Sequence, residues 1–184
     1  VLVEVTFTDS NGSSFFGDGD TYSKREILRL EQPVAESFPI IGSNHNSGSM
    51  SFDTNGYLMI SIGDAGDAND TGNGHGLIGN GQDPSNIWGS IIRIDLNGTN
   101  SINTKYGIPS DNPFINDSNK LDEIYAYGFR NPWTFSLDPS NGIIYSADSG
   151  QDLVQEVNIV EKGKNYGWRT KEGSFLFDPQ TGLI

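Results

Sequence analysis

The chain of 184 residues contains no cysteine, so no disulfide framework supports the fold and no thiol takes part in its chemistry. It also has no run of about 18 apolar residues, which excludes a membrane-spanning helix. The first residues, "VLVEVTFTDS", lack the basic segment and the cleavage site of a signal peptide. They have the pattern of a β-strand, and we expect the chain to begin in the middle of a domain.

Basic side chains are scarce as well. The chain has 11 lysines and arginines against 24 acidic residues, which gives a formal charge of −13. A field of this sign repels nucleic acid and anionic lipid, so neither is an expected partner. It suits a calcium-binding protein exported to the periplasm or secreted. A solvated acidic surface that only keeps the protein in solution explains the charge equally well.

Helical patterns are missing, since no amphipathic stretch of ten or more residues occurs. Apolar residues make up only 34% of the chain, and they alternate with polar ones in short segments bounded by Gly, Asn, Asp or Pro. Examples are "VEVTFT", "YLMISI", "SIIRIDL", "WTFSL" and "EVNIV". The sequence therefore predicts an all-β fold.

An internal repeat narrows this fold to a β-propeller. The segments at 52–66 and 137–150 share an Asp, an Asn-Gly turn, a strand and an acidic glycine loop. Each is followed by two further elements, "SIIRIDLNG" and "EIYAYGFR" after the first, "EVNIVEKG" and "NYGW" after the second. Four strands make one blade, and propellers close with about four to eight blades. We expect half a blade at 1–35, a full blade with long loops at 45–128, and most of a further blade at 130–184.

The long loop at 63–89 contains two motifs that do not fit their usual functions. Gly74 to Gly79 satisfy G-x-G-x-x-G, but "NGQDP" follows at once, whereas a dinucleotide site requires the start of a helix there. "DANDTG" resembles the start of an EF-hand loop, yet Ile78 stands where a bidentate glutamate is required. The aspartates of this loop are either ligands of a cation or turn formers that bond their own backbone.

A second conspicuous stretch is "YAYGFRNPWTF" at 125–135. Arg130 lies at the junction of two predicted blades, where strand ends converge on the central channel. A guanidinium there can bind a carboxylate in bidentate fashion, or it can simply hold two blades together. Asn131 precedes a proline and is held extended, which points its amide at the same space.

Taken together, these segments resemble the glucose/sorbosone dehydrogenase family over about residues 1–175. The resemblance rests on "SNHNSGSMSFDTNGYLMISIGDAG", "NIWGSIIRIDLNG", "GIPSDNPF", "YAYGFRNPWTFSLDPSNG", "DSGQDLVQEVNIVEKGKNYGW" and "KEG". It implies a soluble quinoprotein with a six-bladed propeller that uses pyrroloquinoline quinone and calcium. About two and a half of those blades are present here, so the segment is not expected to oxidise sugar alone. The loops are similar to those of the hedgehog-interacting-protein-like branch.

The resemblance also implies roles for individual residues. His45 matches the base that takes the proton from the C1 hydroxyl of an aldose, and Asp64 the acid that orients its imidazole. Arg130 and Asn131 match cofactor-binding residues, and the carbonyls of Gly150 and Gln151 match ligands of the cofactor's calcium. Glu156 and Tyr166 resemble a second, separate calcium site that some members of the family have.

One position departs from the family pattern: Ser47 follows "HN" where the family commonly has glycine. The change is harmless unless this position requires a positive φ. His45 on its own is also explained as a surface or capping histidine.

Alternative functions remain open from the sequence. They are a non-catalytic propeller that holds a protein partner, as in the hedgehog-interacting branch, and a calcium-dependent lactonase. For the dehydrogenase, the partners are a sugar and an external electron acceptor, and open sheet edges permit a homodimer. If His45 is the base, it must lie with Asp64 and Arg130 at one rim of the channel, beside inner strands near 48–53 and 132–137.

Overall fold

A computed structural model describes residues 1–8, 21–33 and 44–184. Within these ranges the chain forms β-strands and one short 3₁₀ helix, Asn80–Gln82, and it has no α-helix. None of the described helical structure is long and apolar enough to cross a membrane. The strands are β1 (Leu2–Thr8), β2 (Thr21–Leu28), β3 (Met50–Phe52), β4 (Leu58–Ile62), β5 (Ser90–Ile94), β6 (Ile124–Tyr127), β7 (Pro132–Leu137), β8 (Ile144–Asp148), β9 (Glu156–Val160), β10 (Lys171–Glu172) and β11 (Phe175–Leu176).

The strands assemble into antiparallel sheets whose order follows the chain. β3, β4, β5 and β6 form a four-stranded sheet, and β7, β8 and β9 form a three-stranded one. β1 pairs with β2, and β10 pairs with β11, as two separate hairpins. The prediction of an all-β fold is confirmed, and the chain is a propeller segment. The division into blades at 1–35, 45–128 and 130–184 stays a prediction, and residues 9–20 and 34–35 of the first range lie outside the described residues.

The prediction that "NYGW", residues 165–168, forms the fourth strand of the second sheet is wrong. This segment crosses to the first sheet and runs beside the end of β6 instead of extending the second sheet. The amides of Tyr166 and Trp168 donate to the carbonyls of Tyr127 (2.8 Å) and Gly128 (2.9 Å). The Tyr166 ring also stacks on Phe129, with centroids 4.6 Å apart. These backbone hydrogen bonds hold the segment beside the end of β6. The carbonyl of Trp168 also accepts a bond from Gln82, so the segment lies against the long loop at 63–89.

Both faces of the first sheet are covered at β5, which explains why this strand is buried without alternation. All five residues of β5 are buried. Ile92 and Ile94 pack on one side together with Ile27 of β2, whereas Ile91 packs on the other side with Phe135 of β7. Since successive side chains of a strand point to opposite faces, the sheet has one neighbour on each side. This stacking resembles consecutive blades around a channel.

The turns that precede β3 and β7 and those that follow β4 and β8 meet at one end of the sheets. The Asp64 amide donates to the Arg130 carbonyl at 2.8 Å, and the Ser149 amide to the Asn131 carbonyl at 3.1 Å. The first bond joins a loop of the first sheet to a loop of the second, and the second bond joins two loops of the second sheet. The candidate site is built at this end.

Candidate functional site

His45 and Asp64 form a buried pair. The distance between His45 Nδ1 and Asp64 Oδ1 is 2.6 Å, and the side chain of His45 is only 7% exposed and that of Asp64 0%. An ionised carboxylate can only accept hydrogen bonds, so Nδ1 carries the proton of the neutral imidazole. Nε2 is then left with its lone pair. A histidine arranged in this way is equipped to accept a proton.

The backbone at His45 is left-handed, and close contacts with the loop after β4 hold it in this conformation. His45 has φ 51° and Ser47 has φ 54°, both in the left-handed region. The carbonyl of His45 lies so close to Gly63 that a Cβ added there would be 2.1 Å from its oxygen. Asn44 Oδ1 accepts the Asp67 amide at 3.0 Å, which fastens the two loops to each other. Serine in place of the family's glycine was expected to be harmless unless position 47 requires a positive φ. Position 47 does have a positive φ, so the serine is strained there.

Arg130 is a half-buried cation with unused hydrogen-bonding capacity. Its Nη1 donates to the carbonyls of Ser149 (3.3 Å) and Gly150 (3.0 Å). Its Nε is buried and has no hydrogen-bond partner, and Arg130 makes no ion pair with any residue that the structure describes. Burial lowers the pKa of the guanidinium, and the nearby charges of Asp64 and Asp148 oppose that effect. A half-buried cation whose Nε has no partner is suited to an anionic ligand.

Asn131 turns its side chain toward the loop that carries His45. Its Oδ1 accepts from the amide of Ser47 at 3.2 Å and from the Ser47 hydroxyl at 2.9 Å. The amides of Arg130 and Asn131 both donate to the Asp148 carboxylate, at 3.0 and 2.7 Å. Burial raises the pKa of Asp148 to about 7 in spite of these two bonds. Arg130 and Asn131 are thus adjacent to His45 and Asp64 at the same end of the sheets.

The segment that contains Gly150 and Gln151 is fixed by a glutamate. Glu172 Oε1 accepts the amides of Gln151 at 2.6 Å and Asp152 at 3.2 Å. A Cβ at Gly150 would lie 1.7 Å from the Val154 carbonyl, so only glycine fits. The Gly150 carbonyl accepts one bond from Arg130, and a carbonyl oxygen has a second lone pair that can serve a hard cation.

The structure does not bring the side chains of Glu156 and Tyr166 together. Glu156 begins β9 and accepts the amide of Gly173 at 2.5 Å. The Tyr166 hydroxyl donates to the carbonyl of Ile159, near the other end of β9, and accepts the Glu161 amide, both at 2.7 Å. In the described residues no group of three or more His, Cys, Asp or Glu could hold a metal ion. A second calcium site receives no support from these two side chains.

Two features escaped the sequence reasoning. Trp168 Nε1 donates to Asp64 Oδ2 at 2.8 Å, and the Arg130 guanidinium carbon lies 5.4 Å from the centre of the Trp168 ring. The second feature is another pair, in which the distance between His75 Nδ1 and Asp70 Oδ1 is 2.6 Å. The His75 side chain is only 1% exposed, so no substrate reaches it. "NYGW" marked the tryptophan as a family residue, but no spacing in the sequence indicates its partner.

Comparison with known proteins identifies the class. Residues 18–177 match the family described as Glucose / Sorbosone dehydrogenase. The chain belongs to this family.

Among curated relatives, the HIPL1 protein of Arabidopsis thaliana is 37% identical over 148 residues, or 76% of this chain and 20% of that protein. Aldose sugar dehydrogenase YliI of Escherichia coli is 34% identical over 125 residues, or 68% and 29%. Human Hedgehog-interacting protein is 30% identical over 158 residues, or 79% and 21%. The chain spans less than a third of the length of each of these relatives.

Solved structures agree with this assignment. The soluble aldose sugar dehydrogenase of E. coli in its apo form is 30% identical and superposes with a TM-score of 0.59, covering 79% of this chain and 35% of that one. The PQQ-bound aldose sugar dehydrogenase of Streptomyces coelicolor is 25% identical with a TM-score of 0.52, covering 75% and 33%.

Proposed function

We propose that this chain supplies the base and part of the cofactor-binding surface of a quinone- and calcium-dependent aldose dehydrogenase. The observation that carries the proposal is the buried His45–Asp64 pair beside a half-buried arginine that makes no ion pair in the described part of the chain. A base alone suits many hydrolases and lyases. A base next to an unpaired guanidinium suits a reaction that also needs an anionic group bound at the same place.

The residues fit pyrroloquinoline quinone, which carries three carboxylates. Arg130 would hold one of them through the Nε that has no other partner, with Asn131 beside it. The carbonyls of Gly150 and Gln151 would ligate the calcium of the cofactor, since carbonyl oxygen is a ligand type that calcium prefers. When bound, the quinone supplies the acceptor for the hydride that leaves the sugar.

In this proposal His45 and Asp64 manage the proton. His45 Nε2 accepts the proton of the C1 hydroxyl, while Nδ1 stays bonded to Asp64. The imidazole becomes positively charged, and the carboxylate 2.6 Å away stabilises that charge. The low exposure of both side chains strengthens this stabilisation, because water does not screen the pair. Loss of a proton and a hydride at C1 converts a cyclic aldose to its lactone. In this proposal the protein is periplasmic or secreted, and its partners are a sugar and an external electron acceptor.

A propeller that holds a protein partner is the second candidate, favoured by the 30% identity to human Hedgehog-interacting protein. Quinone binding separates the two functions. The quinone is titrated into the chain with calcium present, and binding is followed by calorimetry. We expect Arg130→Gln to weaken binding by about tenfold or more, the worth of one charge-assisted bond.

The matched control is Arg29→Gln, which removes the same charge from a side chain that is 54% exposed and paired with Glu26. This control variant should bind the quinone like the unmodified chain. Equal affinity of all three proteins, or no binding by any of them, contradicts the proposal and favours the protein-binding alternative. Turnover of an aldose with an artificial electron acceptor is then measured on a protein with a complete propeller. In that protein His45→Gln should lower kcat by roughly 10²–10⁴-fold.

A further inference from the structure

Trp168 contacts both halves of the candidate site. Its indole Nε1–H donates to Asp64 Oδ2 at 2.8 Å, and its ring lies under the guanidinium of Arg130. The side chain is buried, with a residue exposure of 3%, and packs against the ring of Phe177 at 4.9 Å. Its amide is bonded to Gly128 and its carbonyl to Gln82, so the backbone is held from two sides.

We infer that Trp168 is a positioning residue that keeps His45 in the tautomer able to act as a base. This inference rests on the role proposed for His45. Asp64 is fully buried, and both its oxygens are used: Oδ1 accepts from His45 and from the amide of Gly66 at 3.0 Å, and Oδ2 accepts from Trp168. Two donors on Oδ1 and one on Oδ2 fix the plane of the carboxylate. That plane determines whether Oδ1 faces His45 Nδ1.

The tautomer follows from this geometry. A free neutral imidazole prefers its proton on Nε2, and it carries the proton on Nδ1 when an acceptor is held beside Nδ1. An indole N–H can only donate a hydrogen bond, so it stabilises the ionised form of Asp64, which is the form that accepts the Nδ1 proton of His45. If that donor is lost, Oδ2 has no donor and the Gly66 amide is the only main-chain group that still holds Oδ1, so the carboxylate can turn about its Cβ–Cγ bond. His45 then places its proton on Nε2, and the nitrogen that should accept a proton from substrate is already occupied.

The chain allows a direct test because it contains only two histidines. Long-range ¹H–¹⁵N spectra report the protonation of all their ring nitrogens without cofactor or substrate. Trp168 is replaced with 3-benzothienylalanine, in which sulfur takes the place of the N–H while the shape and the aromatic face remain. His75 is the internal control, since its Nδ1 is bonded to Asp70 and not to Asp64.

We expect neutral His45 to carry its proton on Nδ1 in the unmodified chain and mainly on Nε2 in the analogue. His75 should keep its proton on Nδ1 in both. A His45 that keeps Nδ1–H in the folded analogue overturns the inference. Quinone affinity, which depends on Arg130, is measured separately, so a failure of the proposed function does not change this outcome.

A second measurement needs no substitution. In the unmodified chain the Trp168 indole proton should shift when the imidazole of His45 gains a proton, because both groups are bonded to one carboxylate. The indole protons of Trp88 and Trp133, the other tryptophans of the chain, serve as controls. An indole proton of Trp168 that stays fixed when His45 gains this proton also overturns the inference.

Discussion

Gly63→Ala is expected to break the His45–Asp64 pair although it changes neither side chain. The added Cβ would lie 2.1 Å from the His45 carbonyl oxygen, whereas real Cβ contacts are essentially never below 3.0 Å. The His45 backbone must therefore retreat by about 1 Å, because the atom it meets belongs to the main chain and has no rotamer to change. A retreat of that size lengthens the 2.6 Å distance between Nδ1 and Oδ1 to about 3.6 Å, which is no longer a hydrogen bond.

The loss in stability follows from two contributions. Overpacking of this kind costs about 1–3 kcal/mol, and a broken hydrogen bond to a charged group costs about 1.5–3 kcal/mol. Because the two effects share one displacement, we expect the free energy of unfolding to fall by about 2–5 kcal/mol. Urea denaturation followed by tryptophan fluorescence measures this change, and the ¹⁵N shifts of His45 report the pair itself.

Gly76→Ala is the matched control. It adds the same methyl group to the same long loop, but the nearest atom, Asp83 Oδ2, is 3.9 Å away and the backbone φ is not positive. Alanine at such a site reduces the freedom of the unfolded chain, so this variant should be as stable as the unmodified protein or up to about 1 kcal/mol more stable. If Gly63→Ala matches Gly76→Ala in stability and keeps Nδ1–H on His45, the steric argument is wrong.

Two further predictions concern Ser47 and His75. Ser47→Ala should destabilise the chain by about 0.5–1.5 kcal/mol, because it loses the hydroxyl bond to Asn131 but keeps the left-handed backbone. Ser47→Gly should recover about 1 kcal/mol of that loss, because glycine adopts this backbone without strain. Equal stabilities of the two variants in urea denaturation would show that the backbone is unstrained. Burial lowers the pKa of His75, but its bond to Asp70 and the charge of that carboxylate outweigh burial and leave the pKa raised. The stability that His75 contributes should thus be complete below pH 6.5 and be lost as the pH rises through its folded-state pKa. Unfolding free energies measured from pH 5 to 9 should therefore show the His75→Gln variant approaching the unmodified chain at high pH. A difference that stays constant over this range would contradict the assigned pair.

The part of the fold that could be predicted is the part that the sequence encodes locally. Alternation of apolar and polar residues, closed by the Asn-Gly turns at Asn55 and Asn141, indicated β4 and β8 and the sheets around them. The residues that end or begin these strands, Asp64 and Arg130 among them, were expected at one rim, and their loops do meet there. Short-range pattern was sufficient for this because each loop follows its strand directly.

The contacts that could not be predicted cross long distances in the chain. Trp168 and Asp64 are 104 residues apart, and neither the indole nor the carboxylate carries a mark of its partner in the sequence. The segment at 165–168 was read as a fourth strand because it follows β9, yet its amides find carbonyls at the end of β6. The serine at position 47 gives no sign of a left-handed backbone by itself, and only the glycine common in the family at this position indicated a possible positive φ.

The two Asp-x-Gly corners of the repeat show what separates the candidate site from ordinary propeller structure. Asp148 uses its carboxylate for the main chain, accepting the amides of the two residues before β7. Asp64 accepts one main-chain amide, and its other donors are the imidazole of His45 and the indole of Trp168. A corner that only supports the fold needs main-chain bonds alone, because these satisfy the backbone groups that would otherwise be buried without partners. The Asp64 corner goes beyond that purpose, because two of its donors are side chains. In the proposed function these donors arrange an imidazole with an unprotonated Nε2 beside Arg130, which makes no ion pair with any described residue.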